Sequence, residues 1–210
     1  MKKRQPHVRR PTAPARPTGW NTTDGDELHS RRLRAVEQQL RVQPRLPGQH
    51  PFYADYLVTS ASVAGHVYTV QVRTLAGNDN LCTCPDFAKN GLGHCKHIES
   101  ALSWLRKRGR RVFESAARLG SPLVEVGVAV KPSSGERVIL IRWPDTVPIS
   151  VRNKISPFFS ASGELLGAPS EGLPALQREL DRWPANLRAC VRIGLDALAL
   201  AHRDRDRRGR

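Results

Sequence analysis

The sequence predicts an α+β fold in two units, a small metal-stabilised one followed by a hairpin with helices. Three observations carry this. Two stretches alternate apolar and polar residues between turn signals, helical periodicity follows each of them, and three cysteines and two histidines crowd into residues 82–97. A length of 210 residues suits one or two domains at roughly 100–200 residues each.

The elements follow in chain order. Residues 1–22 are rich in Pro and Arg and poor in apolar side chains, which predicts a disordered basic arm. Residues 23–50 form a helix and linker: the helix covers 24–42, capped by Thr23 or Asp24, turning Leu33, Val36 and Leu40 to one face, and stopped by Pro44 and Pro47. The metal unit covers 51–112. Tyr56, Val58 and Ser60, then Tyr68, Val70 and Val72, alternate on either side of Ala64-Gly65-His66, so a hairpin is expected. Gly77-Asn78-Asp79 turns the chain into a short third strand at 81–84. After Gly93 the period becomes helical, with Ile98, Ala101, Leu102 and Leu105 on one face.

Gly120-Ser121-Pro122 opens the second unit, at 120–203. Val124, Val126, Val128 and Val130 alternate, and a second apolar run at 137–143 completes a hairpin. Residues 144–172 read as loop with a short helix near 155–159. Two helices are expected next, one begun by Pro174 with Leu173, Leu176 and Leu180, the other by Pro184 with Leu187, Val191, Leu195 and Leu198. Residues 204–210 close the chain as a basic tail, and no internal repeat of useful period is present.

The longest apolar runs, such as 197–201, are far short of the ~20 residues of a membrane helix, so no membrane partner is expected. The first residues carry the charge of a secretion signal, but Pro-rich sequence stands where its apolar stretch should be. The expected compartment is the cytoplasm, with association to the nucleoid as its extension.

Formal charge is +15, from 34 Lys and Arg against 19 Asp and Glu, and 27 of the cations are Arg. Such a balance favours phosphate backbones or anionic surfaces. It is concentrated in the arm, at the end of the chain, and in residues 106–111, where five of six residues are cations.

Cys82-Thr83-Cys84 and Cys95-Lys96-His97, ten residues apart, offer three thiolates and an imidazole. Cys3His is an ordinary structural zinc set. Cys82 and Cys84 share one face of a strand, and a bend at Pro85 can aim both sulfurs at one ion. Cys95 and His97 would diverge by about 200° within a helix, so Cys95 belongs just before the helix and His97 in its first turn. His94 is the competing nitrogen ligand; its place inside the loop favours His97. A Cys82–Cys84 disulfide would be a strained ring in a reducing compartment. Cys190 lies in an apolar helical pattern and reads as a buried small hydrophobe.

The stretch CTCPDFAKNGLGHCKHIESAL resembles the SWIM zinc finger, Cys-x-Cys, a variable spacer, then Cys-x-His, with Pro85-Asp86-Phe87 and Lys96-His97-Ile98 also agreeing. The resemblance implies a ββα-like finger with Cys82, Cys84, Cys95 and His97 as ligands to one structural Zn2+, in a family linked to DNA binding and protein contacts. Residues 51–200 also resemble the region preceding the motor in bacterial Swi/Snf-type DNA-dependent ATPases, through the Val-rich hairpin, Pro157-Phe158-Phe159 and 163–167. The motor itself has no counterpart: without a single Gly-Lys dipeptide there is no phosphate-binding loop. The chain is therefore expected not to hydrolyse ATP and to be either a free-standing accessory protein or the front piece of a split or shortened motor.

An enzyme is not expected. His97-Ile98-Glu99 matches half of a zinc-deaminase signature, but the downstream P-C-x-x-C is missing. Four protein ligands also close the coordination sphere to water. The function expected instead is contact with nucleic acid, DNA ahead of RNA and without sequence preference, through Lys89, Lys96, Arg106, Lys107, Arg108, Arg110 and Arg111, in company with a helicase or translocase. The alternative is an adaptor docking a motor subunit or another protein through the Val-rich hairpin, Trp143 and Phe158-Phe159.

Overall fold

Helix α1 (Asp24–Gln38) begins at Thr23, whose hydroxyl accepts the Asp26 amide at 3.3 Å while the Asp26 carboxylate accepts the Thr23 amide at 3.0 Å. This is a reciprocal capping box with aspartate in the acid position. The computed structural model describes residues 23–209 apart from 61, 62, 64 and 132; the arm expected at 1–22 lies outside the described residues, as does Ala64 of the first hairpin's connection. The face that α1 buries is not the expected apolar one. Arg31 and Ala35 point inward, whereas Leu33 and Val36 are 44% and 69% exposed. Arg31 bonds Glu27 at 2.6 Å and Asp86 at 3.1 Å, and that tie sets the rotation of a helix whose apolar stripe is too thin to set it.

Strands β1 (Val42–Pro44), β2 (Asp55–Thr59), β3 (Val67–Gln71) and β4 (Leu81–Cys82) form one antiparallel sheet in that order. The expected hairpin is β2–β3, and β4 is the short third strand. β1 was hidden in the sequence by Pro44, which a strand tolerates at a sheet edge. Tyr56 pairs with Val70 and Val70 with Cys82, so a row of buried side chains crosses three strands on one face. Against that face packs α3 (Lys96–Lys107), through Ile98, Ala101, Leu102 and Leu105. The short α2 (Pro85–Asn90) lies between β4 and α3, and α4 (Arg110–Leu119), which the sequence reading passed over, adds Phe113 to the same core.

The second unit has β5 (Val124–Val130) paired antiparallel to β6 (Arg137–Arg142) and parallel to β7 (Val191–Ile193), in the order β6-β5-β7. Val124, Val126, Ile139 and Ile141 bury against α5 (Ile149–Ile155), α6 (Pro169–Asp181) and α8 (Leu195–Arg208). Three expectations are corrected. α6 begins at Pro169, so Pro174 sits inside it rather than at its start. The single helix expected from Pro184 is broken into α7 (Ala185–Arg188), β7 and α8. The open side of β5 claims the middle piece: the Val124 amide bonds the Cys190 carbonyl at 2.8 Å and the Gly194 amide bonds the Val126 carbonyl at 2.7 Å. Finally, α8 runs on to Arg208, so most of the expected basic tail is helical.

A polar seam joins the two sheets. Gln71, fully buried, donates to Asp55 at 3.0 Å and accepts from Arg73 Nε at 3.2 Å. The Arg73 guanidinium then crosses to Asp196 of α8, with bonds of 2.7 and 3.1 Å, and the same carboxylate accepts the Val128 amide at 3.0 Å. Gly194 is required here, because a Cβ on it would overlap both Arg73 and Asp196. Nearby, Arg192 and Glu125 form a second buried pair, bonded through Nε at 3.0 Å and again through Nη2.

Candidate metal centre

The sheet and α3 bring four side chains to one point. Cys82 ends β4, and Thr83 stays tied to β3 through its amide, which bonds the Thr69 carbonyl at 3.1 Å. Cys84 is extended and caps α2, its Sγ accepting the Phe87 amide at 3.3 Å, while Pro85 occupies the first helical position, where no amide is needed. The loop returns through Gly91 and Gly93, both at positive φ; at Gly93 a Cβ would also press on the Asn78 carbonyl at 3.0 Å. Cys95 caps α3 in extended conformation and His97 stands in the first turn, as the spacing predicts.

All four residues are buried, and their ligand atoms lie within 4.8 Å of one another, so together they can hold a single metal ion. The Cys95 Sγ is 3.9 Å from His97 Nδ1. His97 Nε2 is buried without a hydrogen-bond partner among the described residues, and the Tyr68 ring packs on the imidazole at 4.8 Å between centroids. Neither Tyr68 nor the Phe87 amide was singled out from the sequence; Tyr68 was legible only as an alternating strand residue.

Three thiols at this range cannot all ionise. Cys84 holds the thiolate, pulled well below the ordinary thiol range by hydrogen bonds from Cys82 and then Cys95, with the Phe87 amide helping. Cys82 is driven strongly upward, first by its hydrogen bond to Cys84. At Cys95 the largest influence, the Cys82 hydrogen bond, is downward, but the hydrogen bond to Cys84, burial and the Cys84 charge outweigh it and raise the group to about 12. A cation entering the cluster therefore displaces two protons and replaces thiol–thiol hydrogen bonds with four ligand bonds.

The other sequence candidates fall elsewhere. His94 is turned to Glu99, with Nε2 to Oε2 at 3.1 Å, and stands outside the cluster. Glu99 is held below the usual carboxylate range by that bond and then by the charges of His94, Arg32 and Arg106. Cys190 is half-buried before β7, its Sγ 3.4 Å from the Asn186 carbonyl, rather than buried in a helix.

The basic candidates split into two groups. Lys89 and Lys96 flank the ligands on α2 and α3. Arg106, Lys107, Arg108, Arg110 and Arg111 are exposed at the far end of α3 and the start of α4, about 13 Å along the helix axis from His97. Of these five only Arg110 forms an ion pair among the described residues, with Glu114 at 2.8 Å. Arg108 lies over Trp104 at 4.5 Å and Arg106 over Phe113 at 5.0 Å.

Comparison with protein-family models, curated proteins and solved structures finds no match to this chain. Among the described residues no helix is long and apolar enough to cross a membrane.

Proposed function

We propose that this chain is a zinc-binding accessory module of the SWIM type that contacts nucleic acid, DNA ahead of RNA, and works beside a Swi/Snf-type motor or another translocase. The observation that carries the zinc assignment is the donor set. Three sulfurs and one imidazole, buried and convergent, suit a borderline-soft tetrahedral ion. With Zn–S near ~2.3 Å and Zn–N near ~2.0 Å a tetrahedral S···N edge is about 3.5 Å, and the 3.9 Å between Cys95 Sγ and His97 Nδ1 needs only a small inward movement to reach it. Four protein ligands leave no place for water, so the ion is structural and the chain is not an enzyme.

Support for nucleic-acid contact comes from the corner between α3 and α4. Arg106 and Lys107 end α3, where cations are stabilising without any ligand. Arg110 and Arg111 open α4, whose first turn holds no acid, and cations there oppose the helix dipole. A phosphate backbone would satisfy both groups at once. The adaptor alternative is weaker, because most of the residues it names pack into the second core: Val124, Val126 and Phe159 are buried, with Trp143 and Phe158 packed against them, and only Val130 at the end of β5 is well exposed.

The test is binding of labelled DNA by fluorescence anisotropy at increasing salt. Contacts through four unpaired cations should cost about two orders of magnitude in affinity between roughly 50 and 200 mM salt. Reversing Arg106, Lys107 and Arg108 to Glu should abolish most of the binding at low salt. Affinity indifferent to both salt and charge reversal would refute the proposal.

A further inference from the structure

A groove of about 440 Å³ opens beside this basic corner, between residues 44–51 and the start of α4. Its floor is apolar, formed by buried Phe52, Tyr56 and Leu105, and its rim carries Leu46 and Val112, which are 56% and 61% exposed, together with Arg108. The groove is preformed. His50 Nδ1 accepts the amides of Phe52 and Tyr53 at 3.2 and 3.1 Å, and the Tyr56 hydroxyl donates to the Pro51 carbonyl at 2.9 Å, which pins the wall to the sheet. Among the described residues no acidic one lines it. One acceptor, Gln49 Oε1, is buried in the wall without a hydrogen-bond partner among the described residues.

We propose that this groove receives an unpaired nucleobase while Arg108, Arg110 and Arg111 hold the flanking phosphates, so that the chain prefers single strands to duplex. The inference rests on the nucleic-acid reading above and adds the form of the ligand. An apolar slot with Arg108 on its rim and Arg110 and Arg111 following in the chain matches the two parts of a single-stranded nucleotide, a flat apolar base and a charged linker. In a duplex the base faces are stacked and closed to such a slot; only a splayed base can enter.

Anisotropy titrations on the full zinc-loaded chain decide this, using a short oligo-dC strand, the same strand made abasic, and a duplex of equal length. The expected order is oligo-dC bound about ten-fold more tightly than either of the others, and Leu46→Ser with Val112→Ser should erase that preference. Both positions are exposed, so unchanged circular dichroism and zinc content are expected for the variant, and its binding of the abasic strand should stay as in the wild type. Equal affinity for all three ligands would overturn the groove assignment and leave the phosphate reading standing. Failure to bind any of them would overturn both.

Discussion

Truncating Asp196 to Ala should be among the most damaging changes outside the metal cluster, although the residue lies 123 positions from the arginine that it serves. The Arg73 side chain is 4% exposed and its only carboxylate partner among the described residues is Asp196, itself 23% exposed. Breaking a buried pair by removing one partner costs about 3–5 kcal/mol, because the remaining charge stays buried without compensation. The partial exposure of Asp196 lets water reach the site and sets the expectation near the lower end, about 3 kcal/mol. In a chain of this size that corresponds to a fall in Tm of roughly 6–12 °C. The assay is thermal unfolding with zinc present, with Glu114→Ala as control, since the Arg110–Glu114 pair stands in solvent and its loss should leave Tm nearly unchanged. Adding Arg73→Met to Asp196→Ala should recover part of the loss by removing the stranded charge. A melting point for Asp196→Ala as close to wild type as that of Glu114→Ala would refute the seam as a structural joint.

Three further outcomes follow from the same geometry. Gly194→Ala places a methyl against Arg73 and Asp196 and should destabilise by about 1–3 kcal/mol in urea unfolding, as overpacking of a filled site does. Because Cys82 is held protonated and Cys95 is raised to about 12, zinc uptake should release about two protons per chain and weaken as pH falls; calorimetry in buffers of different ionisation enthalpy measures the number. His97→Ala should weaken zinc binding severely, whereas His94→Ala should leave the stoichiometry intact, and equal loss in both variants would reassign the nitrogen ligand.

Much of the first unit was legible because its signals are local. Alternation in 56–60 and 68–72 gives the β2–β3 hairpin, and the mismatch between a two-residue spacing and the helical turn places Cys95 before α3 and His97 within it. What the sequence concealed depends on partners far away. Leu33 and Val36 look like a buried stripe, yet Arg31 finds Asp86 fifty-five residues on and turns α1 the other way. Val191 and Leu195 share a helical period with Leu187, yet the open side of β5 draws 191–193 into a strand. Arg106 to Arg111 read as one basic cluster beside the metal, but Gly109 divides them between two helices and α3 carries them away from it. Neither the Arg73–Asp196 joint nor the groove beside Arg108 has any local pattern, since each is assembled from segments brought together only by the fold.

The central claim is that Cys82, Cys84, Cys95 and His97 hold one structural zinc. X-ray absorption at the zinc edge, on purified protein with metal content measured in parallel, tests it most directly. The expected result is one zinc per chain with three sulfurs at about 2.3 Å and one nitrogen at about 2.0 Å, lost together with the folded circular dichroism on strong chelation. A metal-free protein that keeps its fold, or a zinc shell containing water oxygen, would contradict it.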